Sequence, residues 1–150
     1  MGILALTAVI VLGLDLVTKA LASRFLTLGH PVPVLGEVVR MTLVHNTGAA
    51  FGLFPGSRLA FIAFSAAAMI VILILYFRLP AQQTSQLVAL GALVGGALGN
   101  LHDRVRYGWV IDFIEIGVGR YHWPVFNVAD MAVTGGVALL LWGVARRPRE

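Results

Sequence analysis

The sequence contains no cysteine, which excludes disulfides, thiolate metal sites and a cysteine nucleophile. Charge is scarce too. Only 12% of the 150 residues are Asp, Glu, Lys or Arg, about half the roughly 25% typical of soluble domains, while 59% are hydrophobic. A water-soluble fold lacks the polar side chains to cover that much apolar surface, and a bilayer removes the need. The length suits one domain and is short for two. The net charge is +4, yet no stripe of basic and aromatic residues appears, so nucleic acid is not an expected partner. His30, His45, His102 and His122 form no His-Glu-x-x-His pattern and no helical pair, so no metal or other cofactor is expected. Ser23, Ser57, Ser65 and Ser85 lack a His or Lys at motif spacing, which argues against a serine peptidase. Gly48, Gly52 and Gly56 read as turn residues, without a phosphate-loop pattern.

What is present is four apolar stretches, at 3–22, 58–77, 84–102 and 128–145. Each approaches the ~20 residues that a helix needs to cross a hydrocarbon core. The second carries no charge from Leu59 to Phe77. The third is rich in Gly and Ala, which let helices approach closely in lipid, and is expected at the centre of a bundle. The first has a small-x-small site at Ala20 to Ala22, but no Lys or Arg precedes it and Asp15 and Lys19 interrupt it, so a retained helix is favoured over a cleaved signal. Leu6 stands where a myristoylation signal needs Ser or Thr. The segment 34–44 is β-branched and reads as one or two strands joined at Gly36 and Glu37. The segment 110–116 alternates loosely, and 117–120 suggests a turn. A small sheet on one membrane face, built from both loops, is expected. Four spans place both termini on one side, and Arg146, Arg147 and Arg149 mark that side as cytoplasmic. The raw count does not settle it, because Arg24, Arg40, Arg58, Arg104, Arg106 and Arg120 fall in loops on the other side and outnumber the C-terminal cluster plus Arg78.

With so few acids, their positions carry information: Asp15, Glu37, Asp103, Asp112, Glu115, Asp130 and Glu150. Lys19 is the single lysine and stands four residues after Asp15, so the two share a helix face and can pair. Asn100, Asp103 and Arg104 share a face at the end of the third helix. Asn127 suits an N-cap, with Asp130 at the third helical position. Alternation of four spans brings the end of helix one, the end of helix three, the start of helix four and both long loops to one membrane face. Ionisable residues gathered there suggest a functional site. Structural readings compete. Asp15 with Lys19 serves equally as a packing pair, Asn100, Asp103 and Arg104 as a helix terminus, and Asn127 and Asp130 as a cap. Asp112 is the hardest to explain structurally, being a lone carboxylate in Trp-Val-Ile-Asp-Phe-Ile.

These residues resemble the lipoprotein signal peptidases, or type II signal peptidases. The matching blocks are Asp15-Leu16-Val17-Thr18-Lys19, Asn46-Thr47-Gly48-Ala49-Ala50-Phe51-Gly52, the run from Gly95 to Arg104, Val110-Ile111-Asp112-Phe113, and Phe126-Asn127-Val128-Ala129-Asp130. Five blocks in register make the likeness specific; His102 occupies a variable position. The resemblance implies a membrane all-α fold of four transmembrane helices with a small extramembrane β-sheet cradle, residues 1–150 forming one membrane-embedded peptidase domain. It implies an aspartic endopeptidase of the bacterial cytoplasmic (inner) membrane, multi-pass, with both termini cytoplasmic and the active site near the outer face. Its substrates would be prolipoproteins carrying a diacylglyceryl Cys, cleaved just before that residue, and globomycin-like cyclic peptides would inhibit it. Asp112 and Asp130 match the family's catalytic dyad. Asn46, Gly48, Asn100, Arg104, Asn127 and Ala129 match positions that line or support it, and Asp15, Lys19 and Asp103 match structural ones.

Two carboxylates at close range cannot both ionise cheaply, so they share one proton: one activates water and the other donates to the scissile carbonyl. Asp130, in the first turn of a helix, is the expected ionised partner. The glycine-rich run 46–56 is expected to act as a lid or clamp. The rival readings are a small transporter, whose ionisable groups would form a path across the bilayer, and a non-catalytic scaffold. Clustering at one face, with none in helix two, disfavours the transporter.

Overall fold

A computed structural model of the chain describes residues 2–48, 58–78 and 84–145. The 49–56 part of the expected lid or clamp, Ala49 to Gly52 of the matching block, and Arg146, Arg147 and Arg149 lie outside the described residues. The elements are α1 (Gly2–Phe25), β1 (Val32–Leu35), β2 (Val39–Asn46), α2 (Arg58–Arg78), α3 (Thr84–Arg106), β3 (Val110–Val118), β4 (Tyr121–His122) and α4 (Val128–Ala145). All four apolar stretches are helical. By length and composition, α1 and α3 can cross a hydrocarbon core, while the described apolar parts of α2 and α4 are shorter.

The third helix stands against the other three, and its glycines explain how. A side chain on Gly91 or Gly95 would place a Cβ 2.6 Å from the carbonyl oxygens of Leu4 and Ala8 in α1, and one on Gly96 would meet Ala129 of α4 at 2.5 Å. Backbones this close gain dispersion contact that bulkier residues would forbid. The first helix buries Ala8, Asp15, Lys19 and Ala22 and leaves Leu6, Val9, Ile10, Leu14 and Val17 at least 50% exposed. A continuous apolar face of that size marks contact with lipid or another chain.

The helix α3 runs one turn beyond the apolar stretch that suggested it, through Asp103, Arg104 and Arg106. Hydropathy ends the apolar stretch at 102, but the helix continues until Gly108, which takes φ +88° and donates to the Arg104 carbonyl at 3.2 Å, a left-handed C-terminal cap.

The four strands pair antiparallel in the order β1-β2-β3-β4. As expected, both loops contribute: Gly36 turns β1 into β2 with φ +52°, and β2 lies against β3 with Val44 opposite Asp112. The second turn differs from the sequence reading. Gly117 and Val118 belong to β3 and pair with His122 and Tyr121, and the chain reverses at Gly119 (φ +60°) and Arg120. Gly117 is needed for space, since a Cβ there would collide with the His122 ring. Across the sheet, Arg40 reaches Glu115 at 2.5 Å, and Thr42 donates to the other oxygen of the same carboxylate. Burial raises the Glu115 pKa, but the bonds from Thr42 and Arg40 outweigh it and hold the carboxyl below its usual range. Beneath the sheet, Leu43, Ile111 and Phe113 form a core with Ala22 of α1, seating the sheet on that helix.

Gly96→Ala is expected to lower the thermal unfolding midpoint in detergent by the equivalent of about 1–3 kcal/mol, because the obstructing atom is backbone. Gly13→Ala, with nothing within 4 Å, is expected to leave it unchanged or raise it slightly through helix propensity; equal midpoints for the two variants would contradict the packing account.

Candidate active site

The polar residues singled out in the sequence meet where α1, α3, α4 and β3 converge. Lys19 is 1% exposed, and a buried ammonium needs acceptors for three protons. Three oxygens surround it: Asp15 Oδ2 at 2.7 Å, Asp103 Oδ2 at 2.9 Å and Asn100 Oδ1 at 3.0 Å. Each carboxylate then reaches a further element. Asp15 Oδ1 accepts from the Ala129 backbone at 2.9 Å, tying α1 to the start of α4. Asp103 Oδ2 accepts from the Ile111 backbone at 3.1 Å, tying α3 to β3. Gly99 makes room, since a Cβ on it would collide with the Asp15 carboxylate.

The start of α4 is a reciprocal cap. Asn127 Oδ1 accepts from the Asp130 backbone at 2.9 Å, and Asp130 Oδ2 accepts from the Asn127 backbone at 3.2 Å, satisfying two donors that the first turn would leave unpaired. The capping reading of Asn127 and Asp130 is therefore met in the geometry, and both residues have further contacts.

Three asparagines orient the two remaining carboxylates. A side-chain amide can be turned either way, but at each of these its oxygen is claimed by a group that only donates. Asn100 Oδ1 faces the Lys19 ammonium, so its Nδ2 points to Asp130 Oδ1 at 2.8 Å. Asn127 Oδ1 takes the Asp130 N–H, so its Nδ2 points to Asp112 Oδ1 at 2.7 Å. Asn46 Oδ1 takes the Gly48 N–H at 3.0 Å, so its Nδ2 points to Asp112 Oδ2 at 2.8 Å. Reversal of any of them would set donor against donor.

Asp112 and Asp130 line one cavity of about 240 Å³ together with Asn46, Gly48, Asn100 and Arg104. Asp112 is 2% exposed. Burial, joined by the negative charge of Asp130, raises its pKa to about 7 against the pull of Asn46, Asn127 and Lys19. Val110, Trp123, Pro124, Val125 and Phe126 complete the wall. Val110 and Phe126 open two of the matching blocks without having been singled out as site residues, and the sequence reading missed Trp123, Pro124 and Val125; their one signal was an aromatic-proline run shortly before Asn127. It also missed Gly99, whose role shows only once α1 and α3 are side by side. Asp15, Lys19, Asp103 and Ala129 lie behind the cavity and hold its lining.

Apolar helices carrying a small sheet, with one buried and one half-buried carboxylate lining a shared cavity, define a membrane-type fold built around an acidic site. The family model described as signal peptidase (SPase) II matches residues 7–146. A lipoprotein signal peptidase of Moorella thermoacetica is 39% identical over 91% of this chain and 89% of its own length, and one of Teredinibacter turnerae is 43% identical over 90% and 82%. A solved bacterial membrane enzyme superposes with a TM-score of 0.85 at 32% identity, covering 100% of this chain and 94% of that one. The chain belongs to the signal peptidase II family, and is a peptidase by that membership.

Two outcomes are expected. Lys19→Met strands two buried carboxylates and is expected to cost about 3–5 kcal/mol in denaturant unfolding; a loss under about 1 kcal/mol would contradict the buried network. The second concerns pH. Between the unfolded value of 3.8 and about 7, folded Asp112 keeps a proton that the unfolded chain releases. The folded state binds more protons there, so its stability falls as pH rises through that window. The thermal midpoint of the parent should drop relative to Asp112→Asn from about pH 4 to 8; a constant difference would argue against a raised Asp112.

Proposed function

We propose that this protein removes the signal peptide from diacylglyceryl-modified prolipoproteins, cleaving just before the lipidated Cys with Asp112 and Asp130 as an aspartic dyad and no cofactor. The observation that carries this reading is the single cavity onto which both carboxylates open, each addressed by an asparagine amide of fixed orientation. Family membership supports the substrate class.

In this mechanism Asp112 holds the shared proton and Asp130 is ionised. The raised pKa of Asp112 supports the first half. The position of Asp130 in the first turn of α4, where the helix dipole favours negative charge, supports the second. Asp130 takes a proton from a water molecule as it attacks the scissile carbonyl. Asp112 donates its proton to the carbonyl oxygen; as the tetrahedral intermediate collapses, Asp130 passes the proton taken from water to the leaving nitrogen and Asp112 recovers one from the intermediate's hydroxyl. Arg104, on the cavity wall, stabilises developing negative charge. Asn100 and Asn127 keep the two aspartates in place.

All four helices cross the bacterial inner membrane, with both termini cytoplasmic and the cavity near the outer face. The exposed apolar side of α1 and the span lengths of α1 and α3 support this placement. The substrate's lipid then stays in the bilayer while the scissile bond reaches the cavity. Globomycin-like cyclic peptides compete for the same site.

Cleavage of a diacylglyceryl precursor peptide by purified protein in detergent tests the reading. Asp112→Asn and Asp130→Asn are each expected to lose about 10³-fold or more in kcat while unfolding at normal temperatures, and the parent's kcat/KM should decline above about pH 7, as Asp112 loses its proton. Substantial turnover by folded Asp112→Asn rules the dyad out.

A further inference from the structure

Away from the cavity, another polar cluster runs across three strands of the sheet. The β4 strand pairs with β3 through Gly117 with His122 and Val118 with Tyr121. The His122 ring reaches further. It passes over Gly117, where any Cβ would obstruct it, and meets Arg40 of β2 on the far side of β3. Arg40 Nη2 stands 3.0 Å from His122 Nδ1. Glu115 Oε1 of β3 accepts from the same Nη2 and lies 3.4 Å from Nδ1. Glu37, in the turn before β2, faces Arg40 at 3.6 Å, and Arg120, in the hairpin of His122 itself, lies over the Tyr121 ring.

These contacts fix the state of the imidazole. A guanidinium only donates and a carbonyl only accepts. Nδ1 therefore accepts from Arg40, and Nε2 carries the proton, which it donates to the Gly119 carbonyl at 3.2 Å. The opposite tautomer would rely on two longer contacts, Nδ1 to Glu115 and Arg40 to Nε2, both at 3.4 Å, and would leave the Gly119 carbonyl without this donor. A second proton on the ring sets Nδ1–H against the Arg40 N–H and brings two positive charges together. The tie across β3 then ends. Histidine is the side chain that changes charge between about pH 5 and 8, and 27% of this one is open to water.

The next residue, Trp123, begins the 123–126 wall of the cavity. That wall hangs from β3 by its ends. Trp123 donates to the Ile116 carbonyl at 2.8 Å and Phe126 to the Ile114 carbonyl at 2.9 Å. The Phe126 carbonyl also accepts from Phe113 and Ile114, so among the described residues one end is held by three backbone bonds and the other by one. Resting on the peptidase reading above, we propose that His122 is a positioning residue for the substrate: bound to Arg40 it holds the Trp123 end of the wall in place, and on protonation it releases that end. Substrate affinity then weakens in acid. The dyad is anchored at the other end of the wall, through Phe126 and Asn127, and its chemistry is unaffected.

Steady-state cleavage of a diacylglyceryl precursor peptide, at about pH 7.5 and about pH 5.5, tests this with the parent, His122→Gln and His122→Phe in one detergent. A glutamine amide offers an acceptor and a donor at both pH values, and a phenyl ring offers neither. The KM of the parent is expected to rise about fivefold on acidification, the effect of losing one hydrogen bond. His122→Gln should keep the lower KM at both pH values, and His122→Phe should show the higher one at both. Any acid change in kcat that stems from the dyad is common to all three, so kcat should agree within about twofold at each pH; that agreement also shows the variants to be folded. A KM that still rises in acid in both variants, or does not rise in the parent, would overturn the proposal. So would His122→Gln matching His122→Phe, which would assign the effect to the bulk of the ring instead of its bond to Arg40. Failure of the parent to cleave at either pH would overturn the peptidase reading itself, and this inference with it.

Discussion

The Lys19 ammonium, buried among three oxygens from α1 and α3, is the contact on which the rest of the site is built. A charge removed from water is costly unless its partners are close and fully engaged. Here the partners are themselves engaged, Asp15 with the α4 backbone and Asp103 with the β3 backbone. One side chain therefore fixes the mutual placement of three helices and a strand. Apolar packing alone would not set such a register in lipid, where helix–helix contact carries no hydrophobic driving force. The glycines of α3 bring the helices close enough for these short bonds, and the bonds in turn select one alignment of the glycine faces.

From that anchor, polarity is passed outward through Asn100, and in parallel through Asn127 and Asn46. Each amide receives a donor on its oxygen and presents a donor to a carboxylate. The two aspartates thus stand in different settings. Asp112 is buried in the sheet between Ile111 and Phe113, and its charged form is penalised. Asp130 is half-buried in the first turn of a helix and accepts from Asn100 and from backbone. Under the proposed mechanism, these unequal surroundings separate the roles of two chemically identical groups.

Much of this was legible in the sequence because the polar residues are so few. Four apolar stretches gave four helices, and segment order alone brought Asp15, Lys19, Asn100, Asn127 and both candidate aspartates to one end of the bundle. The pairing of Asp15 with Lys19 and the Asn127–Asp130 cap followed from helical spacing. What the sequence did not carry was contact across elements. The i,i+3 and i,i+4 spacing of Asn100, Asp103 and Arg104 suggested one shared face, but it could not divide them between Lys19, Ile111 and the cavity wall. The hairpin was misplaced by two residues because Gly117 and Gly119 look alike in sequence. One makes room for His122 and the other adopts positive φ. Gly135 and Gly136 were indistinguishable for the same reason: a Cβ on the first would meet nothing within 4 Å, while the second packs against Ala89 and Leu93 of α3.

The central claim is that the dyad holds a single proton near neutral pH, carried on the Asp112 side. Isotope-edited infrared titration of the aspartate carboxyl groups in detergent reads this directly. A protonated carboxyl band that disappears with an apparent pKa of about 7, and that is missing in Asp112→Asn, is the expected result. The same band persisting in Asp112→Asn, or absent from the parent at pH 6, would contradict the account.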